Sequence, residues 1–194
     1  MAVVRRSSGP GRDTSHDLGV IYLMRHAETD WRRVNERGSI GLANDWAPLT
    51  ERGREQAADA ARLVADLGPT VLLTSPMTRA METAAILGRR VGLDPVVEID
   101  LREWLPDRTM TWSSVRDVEA AYTAMIESVH AEPSGTVSRW ETMSELRRRG
   151  LEALRPYIAS GRRVVAVCHE VIIHALTGCA QTGNCEVREF VHGA

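Results

Sequence analysis

Gly19-Val20-Ile21-Tyr22-Leu23-Met24-Arg25-His26 is an apolar run that stops abruptly at an arginine and a histidine. Apolarity that is continuous rather than alternating predicts a strand buried on both faces. Working outward, Val71-Leu72-Leu73 repeats the pattern and ends in Thr74-Ser75-Pro76, Pro95-Val96-Val97-Glu98-Ile99 gives a third run, and Val164-Val165-Ala166-Val167 ends in Cys168-His169-Glu170. Helical patterns separate them. Thr50 caps a helix to about Leu67, with Ala57, Ala61, Val64 and Ala65 at helical spacing and Gly68-Pro69 as the stop. Met77 to Val91 is a second helix, and Ser114 to about His130 a third, on the spacing of Val115, Val118, Tyr122, Met125, Ile126 and Val129. Thr142-Met143-Ser144-Glu145 has the form of a capping box opening a helix to about Ala159, and Ile172 to Leu176 reads as a short helix. Residues 27–48 read as a loop and Glu186 to Val191 as an edge strand. Strands alternating with helices predict an α/β fold with a mainly parallel central sheet and helices on both faces. Residues 113–160 form a helical excursion from it.

Composition narrows the function classes. The 194 residues carry 24 basic and 26 acidic side chains, a net charge of −2, and every basic residue is arginine. Without lysine there is no Schiff-base chemistry and no P-loop, whose phosphate grip needs a lysine. Near-neutral charge argues against nucleic acid as a partner. At 43% hydrophobic residues the chain can bury a core, and its length suits one domain, residues 18–194, after a flexible N-terminal tail over 1–17 rich in Arg, Ser and Gly. Cys168, Cys179 and Cys185 are odd in number and imply no disulfide framework. No stretch approaches the roughly 18 apolar residues of a membrane helix, and the N-terminus lacks the apolar core of a secretory signal. A cytoplasmic protein without a membrane partner is expected; the sequence sets no oligomeric state.

In an open α/β sheet, functional groups gather beyond the carboxyl ends of the strands. Here those ends deliver Arg25 and His26, then Ser75 and Arg79, then Arg102 and Glu103, then His169 and Glu170. Arginine offers a planar fork of donors matched to phosphate oxygens and keeps its charge. Histidine is a competent nucleophile near neutral pH, and a carboxylic acid with a raised pKa can protonate a departing alkoxide. The set points to phosphoryl transfer through a phosphohistidine, with guanidiniums supplying charge stabilisation. The residues alone leave His26 and His169 equal as nucleophile.

Several segments, in order, resemble the histidine phosphatase superfamily, the phosphoglycerate mutase-like proteins. Arg25-His26-Ala27-Glu28-Thr29 resembles its Arg-His-Gly signature. Pro48-Leu49-Thr50 with Gly53, Gln56 and Ala57, and Ser75-Pro76 with Arg79-Ala80 and Thr83-Ala84, resemble its two helix starts. Leu101-Arg102-Glu103 resembles its acidic stretch and Val167-Cys168-His169 its second-histidine strand end. The resemblance implies His26 as nucleophile, Arg25, Arg79 and His169 as holders of the phosphate oxygens, and Glu103 as acid and then base. It implies a metal-independent phosphomonoester hydrolase without cofactor, acting on a small phosphorylated metabolite. A phosphomutase, or a low-turnover phosphate-ester binding or regulatory protein on the same scaffold, are the alternatives.

This sequence departs from the pattern at several positions. Ala27 stands where glycine is commonest, and Arg32 where many members carry asparagine, so Arg32 is a further phosphate contact to consider, and Glu28 and Ser75 are further possible site residues. Glu170-Val171 replaces Gly-Gly after the second histidine, placing a carboxylate that would repel phosphate unless turned away or paired with arginine. Trp104-Leu105-Pro106-Asp107 replaces the Gly-x-Trp-Glu-Gly pattern of bisphosphoglycerate-dependent mutases. Glu28, Asp107 and Glu170 compete with Glu103 for the acid role. The cluster of Cys168, His169, His174, Cys179 and Cys185 lacks the paired spacing of a zinc site, so no metal is expected. Trp31, Trp46, Trp104 and Trp112 are candidates to line a substrate pocket, and Arg102 and Arg108 to grip a second anionic group.

Overall fold

The apolar runs pair as the middle of one sheet in the computed structural model, which describes residues 4–5, 19–38, 41–128 and 138–190. Six strands, β1 (Val4–Arg5), β2 (Val20–Arg25), β3 (Val71–Thr74), β4 (Val96–Val97), β5 (Arg163–Cys168) and β6 (Val187–Phe190), lie in the order β1-β6-β2-β5-β3-β4. β2, β5, β3 and β4 are mutually parallel, while β6 runs antiparallel to β2 and parallel to β1. The α/β fold with a mainly parallel sheet is therefore present.

Both sheet faces are covered, which is why the central strands show no polar alternation. Ile21, Leu23, Leu73, Val164 and Ala166 pack with residues of α5 (Met143–Ile158) and α6 (Glu170–Thr177). Met24, Leu72, Val165 and Val167 pack on the other side with α2 (Glu51–Leu67) and α3 (Thr78–Val91). The helix ends follow the local chemistry read above. Thr50 Oγ1 accepts from Gly53 N at 2.8 Å, Gly68 closes α2 in the left-handed region, and Thr142 and Glu145 form both halves of a capping box.

Four expectations change. The run from Pro95 to Ile99 yields only Val96–Val97, because it lies at the sheet edge with both valines about half exposed. The segment expected as a loop up to Pro48 contains a short helix, α1 (Trp31–Asn35), and a 3-10 turn over Gly41–Trp46, both too short to leave a period in the sequence. Val187–Phe190 is a strand, but β1 pairs on its outer side, so two residues of the expected tail belong to the sheet. Residues 1–3 and 6–17 of that tail lie outside the described residues. The third long helix, α4, spans Val115–Ser128, and residues 129–137 after it are likewise not described.

Register levels the functional strand ends. Arg25 is the partner of Cys168, and Thr74 of Val167, so His26, His169 and Ser75 all emerge one residue past the last paired position. His26 N donates to Cys168 O at 3.0 Å and Ser75 N to Val167 O at 2.9 Å.

The segment after β2 is then clamped by α2 and α3. Thr50 N donates to Glu28 O at 3.0 Å, Glu28 N to Gln56 Oε1 at 3.0 Å, and Ala27 N to Thr83 Oγ1 at 3.1 Å. Gly53 lets α2 lie directly on this segment, since a Cβ there would collide with the Glu28 carbonyl. Gly53→Ala is expected to cost about 1–3 kcal/mol, the range of an overpacked contact against unyielding backbone. Chemical denaturation checks it, and a midpoint equal to that of the wild type would show that the helix can step back freely.

Candidate active site

His26 is almost wholly buried, and its two ring nitrogens have separate tasks. Nδ1 donates to the carbonyl of Ala27 at 2.7 Å, so the neutral ring keeps its lone pair on Nε2. Arg79 Nε donates to that lone pair at 3.2 Å. Burial, with the nearby guanidiniums of Arg79 and Arg25, lowers the His26 pKa to about 3. The imidazole is thus neutral throughout the physiological range. Asn184 Nδ2 donates to His26 O at 2.9 Å and Cys185 N to Arg25 O at 3.0 Å, so the loop before β6 braces the same dipeptide.

Arg79 projects from the first turn of α3 and is nearly buried. Its Nη1 lies 3.6 Å from Asp45 Oδ1, its Nη2 donates to Met77 Sδ at 3.1 Å, and its guanidinium lies 5.2 Å from the centre of the Trp31 ring. Asp45 has its pKa raised by burial, against the opposing pull of Arg79. His169, fully buried, meets His26 edge-to-face with ring centres 5.0 Å apart, and its Nε2 lies 2.7 Å from Ser75 Oγ. Burial holds its pKa well below the ordinary histidine value, and Arg79 and His26 add to the effect. Ser75 orients His169 rather than facing the cavity described below.

Glu103 lies on the opposite wall. Oε1 accepts from Trp104 N at 2.8 Å and Oε2 from Val171 N, in the first turn of α6, at 3.3 Å. Burial raises its pKa, and the bonds from Trp104 and Val171 and the charge of Arg79 only partly offset this. The loop that carries it is held by Arg149. Nη1 of that side chain donates to Arg102 O at 2.9 Å and Nη2 to Glu103 O at 3.1 Å, while Nε and Nη2 form a buried two-pronged pair with Glu141 at 2.6 and 2.9 Å. Arg149 was not singled out from the sequence, where it ends the run Arg147-Arg148-Arg149. Its helical spacing from Leu146 and Ala153, both on the buried face of α5, is the signal that distinguishes it.

Glu170 pairs with arginine: its Oε2 lies 2.9 Å from Arg25 Nη1, which also donates to Thr182 O at 2.6 Å. The other candidates separate. Glu28 lines the cavity, but its Oε1 accepts from Thr50 Oγ1 at 2.9 Å, which ties it to the start of α2. Asp107 is held by Arg139 at 2.9 Å and lies off the cavity. Arg32 is exposed on α1 beside Glu36, so the structure does not bring it to the site. Trp31, Trp104 and Trp112 line the cavity, whereas Trp46 is exposed elsewhere. Asp45, Asn184 and Arg149 are the contributors that motif reasoning missed; the first two sit in irregular segments without a spacing to flag them.

The cavity, of about 590 Å³, is lined by Arg25, His26, Arg79, Glu103 and Glu170 among others. Two residues of its lining carry buried nitrogens without a hydrogen-bond partner among the described residues, Arg25 Nε and Arg79 Nη1, and so does His169 at Nδ1, next to His26 but outside the lining. Among those residues no group of three or more His, Cys, Asp or Glu side chains is placed to hold a metal ion, and the three cysteines are free. No described helix is long and apolar enough to cross a membrane.

Comparison with known proteins follows the same lines. A probable phosphoglycerate mutase, GpmB, of Cronobacter sakazakii is 30% identical over 162 residues, covering 80% of this chain and 72% of that protein. Among solved structures, a mycobacterial glucosyl-3-phosphoglycerate phosphatase superposes with a TM-score of 0.67 at 25% identity, covering 88% of both chains. Bacillus stearothermophilus YhfR gives 0.62 at 26% identity, covering 82% of this chain and 78% of that one. The sequence profile of the histidine phosphatase superfamily (branch 1) matches residues 21–191. With the family profile spanning residues 21–191, His26 and His169 level at adjacent strand ends and Arg79 on Nε2 of His26, the chain belongs to the histidine phosphatase superfamily.

Proposed function

We propose that the chain is a phosphomonoester hydrolase that works through a phosphohistidine on a small phosphorylated metabolite. The observation that carries the reading is the pair of buried nitrogens in the cavity lining, Arg25 Nε and Arg79 Nη1, without a hydrogen-bond partner among the described residues; His169 Nδ1 is a third, beside His26. A buried donor without an acceptor costs about 1–3 kcal/mol, and a phosphoryl group brings acceptor oxygens to both arginines, and to His169 Nδ1 in the tautomer whose Nε2 accepts from Ser75 Oγ.

In this mechanism the Nε2 lone pair of His26 attacks phosphorus in line. The bond from phosphorus to the ester oxygen breaks, and the Glu103 carboxyl transfers its proton to the departing alkoxide. The imidazolium that forms keeps its Nδ1–H bond to Ala27 O. Water, deprotonated by the Glu103 carboxylate, then breaks the nitrogen–phosphorus bond, releasing phosphate and restoring the acid. Burial of Glu103 supports the acid role, because it holds the proton that the first step consumes. Asp107 and Glu28 are occupied elsewhere, and Glu170 is tied to Arg25.

The relatives named as probable mutases support a second reading, in which the phosphoryl group passes to another hydroxyl. One assay separates the two. A panel of phosphomonoesters is incubated in EDTA with and without a large excess of acceptor alcohol, and inorganic phosphate and transferred phosphate are both measured. Release of inorganic phosphate as the main product is the expected result. Dominant transfer would favour the mutase, and phosphate-ester binding without either product would favour a binding protein. Loss of activity in EDTA would remove the metal-independent step.

A further inference from the structure

The cavity has room beyond the residues proposed to hold phosphate. Its lining contains two cations, Arg25 and Arg79, against four carboxylates: Glu28, Asp45, Glu103 and Glu170. Each cation already faces one carboxylate, Arg25 with Glu170 at 2.9 Å and Arg79 with Asp45 at 3.6 Å, and what remains of both is given to the phosphate in the reading above. The neighbouring arginines that could have served a second anionic group are tied elsewhere and do not line the cavity. Arg102 pairs with Asp100 at 2.8 Å, Arg108 reaches Glu145, and Arg139 holds Asp107 at 2.9 Å. The rest of the lining is largely apolar, including Trp31, Trp104, Leu105, Trp112, Val115 and Val118.

From this arrangement, and resting on the hydrolase reading above, we infer that the leaving group is an uncharged apolar or aromatic alcohol rather than one bearing a carboxylate or a second phosphate. The physical reason is a sum of two terms. An anionic leaving group would be desolvated against tryptophan and valine side chains with no further cation of the described residues in the lining to pair with, and would also meet the carboxylates of Glu28, Asp45 and Glu170 there. An apolar or aromatic leaving group exchanges water for that same wall and gains from the area it buries. The chain thereby differs from relatives named for phosphoglycerates, which carry a carboxylate close to the phosphate.

Glu170 sharpens the choice. It stands in the first turn of α6, beside the second histidine, and commits one arm of Arg25 while leaving Arg25 Nε unpartnered. The guanidinium can receive a phosphate oxygen at Nε, but its Nη1 is not available to a carboxylate on the leaving group.

Binding of non-hydrolysable phosphonates tests the inference without relying on turnover. Calorimetry compares benzylphosphonate with 3-phosphonopropionate, which carries a carboxylate, on the wild type and on Val115→Arg. Val115 is largely exposed at the start of α4, so the substitution adds a cation to the rim without opening the core. Benzylphosphonate is expected to bind at least about tenfold more tightly than 3-phosphonopropionate, a difference of about 1.4 kcal/mol. Val115→Arg is expected to narrow that ratio several-fold. Equal or reversed affinities in the wild type would overturn the inference, and so would failure of both phosphonates to bind. Hydrolysis of phenyl phosphate is measured on the same samples as a separate readout. Preferential benzylphosphonate binding with no phosphate release would sink the hydrolase and leave the specificity standing.

Discussion

His26→Asn is expected to abolish turnover, by about 10⁴-fold or more, while leaving phosphate binding largely intact. The magnitude follows from removing the atom that forms the covalent intermediate, since no other group can replace a nucleophile within a concerted site. Binding is expected to survive because the donors proposed to grip the oxygens, on Arg25, Arg79 and His169, are left in place. The wild type should accumulate an acid-labile phosphoenzyme when quenched during turnover, and the variant should show none. Asparagine can still face Arg79 without filling the space differently from imidazole by more than a few atoms, so folding is checked by an unchanged denaturation profile. Residual turnover above a tenth of the wild type would exclude attack by His26. Label that persists in His26→Asn but vanishes in His169→Asn would transfer the role to His169, which the residue types alone leave open. The Nδ1 bond to Ala27 O, which leaves the lone pair on Nε2, and the place of His26 in the cavity lining favour His26, because His169 lies outside that lining with its Nε2 at Ser75.

Glu103→Gln should produce a loss that depends on the leaving group. For an alkyl phosphate, whose alkoxide is a strong base, a drop of about 10²–10⁴-fold is expected. For 4-nitrophenyl phosphate, whose leaving group departs without a proton, the first step should be much less affected. The pH profile should change with it. Glu103 acts as an acid only while protonated, and burial raises its pKa, so activity on an alkyl phosphate persists upward from the usual carboxylate range and falls as pH rises through the raised value. Glutamine removes that alkaline limb. His26, neutral above about pH 3, adds no limb between pH 5 and 8. A uniform loss across leaving groups, with the alkaline limb retained, would reassign the acid, and Glu170 would be the next carboxylate to test.

Much of the architecture could be read from the chain because it is locally encoded. Strands buried on both faces must be uniformly apolar, so Val20–Arg25, Val71–Thr74 and Arg163–Cys168 stand out, and their polar successors are the residues of the site. Caps at Thr50 and Thr142 are equally local, being set by a hydroxyl within one helical turn of the amides it serves. What escaped detection depends on partners distant in the chain. The pairing of Glu170 with Arg25 joins residues at opposite ends of the sequence, and only the fold shows that the added carboxylate is neutralised rather than repelling phosphate. Arg149 holds the Glu103 loop from across the helical excursion, and Arg32, adjacent to the signature in sequence, turns to solvent. Proximity along the chain overstated Arg32 and understated Arg149.

The strand order has a consequence for how the protein comes to be made. β2, which leads into His26, has β5 on one side and β6 on the other, and both are encoded after residue 162. While a ribosome is still adding the first four-fifths of the chain, β2 has neither of its neighbours, and β3 lacks β5. The two strands that frame the site therefore remain as open apolar edges until the last stretch emerges, a state prone to mispairing. Such late, long-range pairing keeps the sheet from closing around β2 until both β5 and β6 have emerged. A fragment ending before Arg163 would contain His26, Arg79 and Glu103 yet have no strand to bring them together.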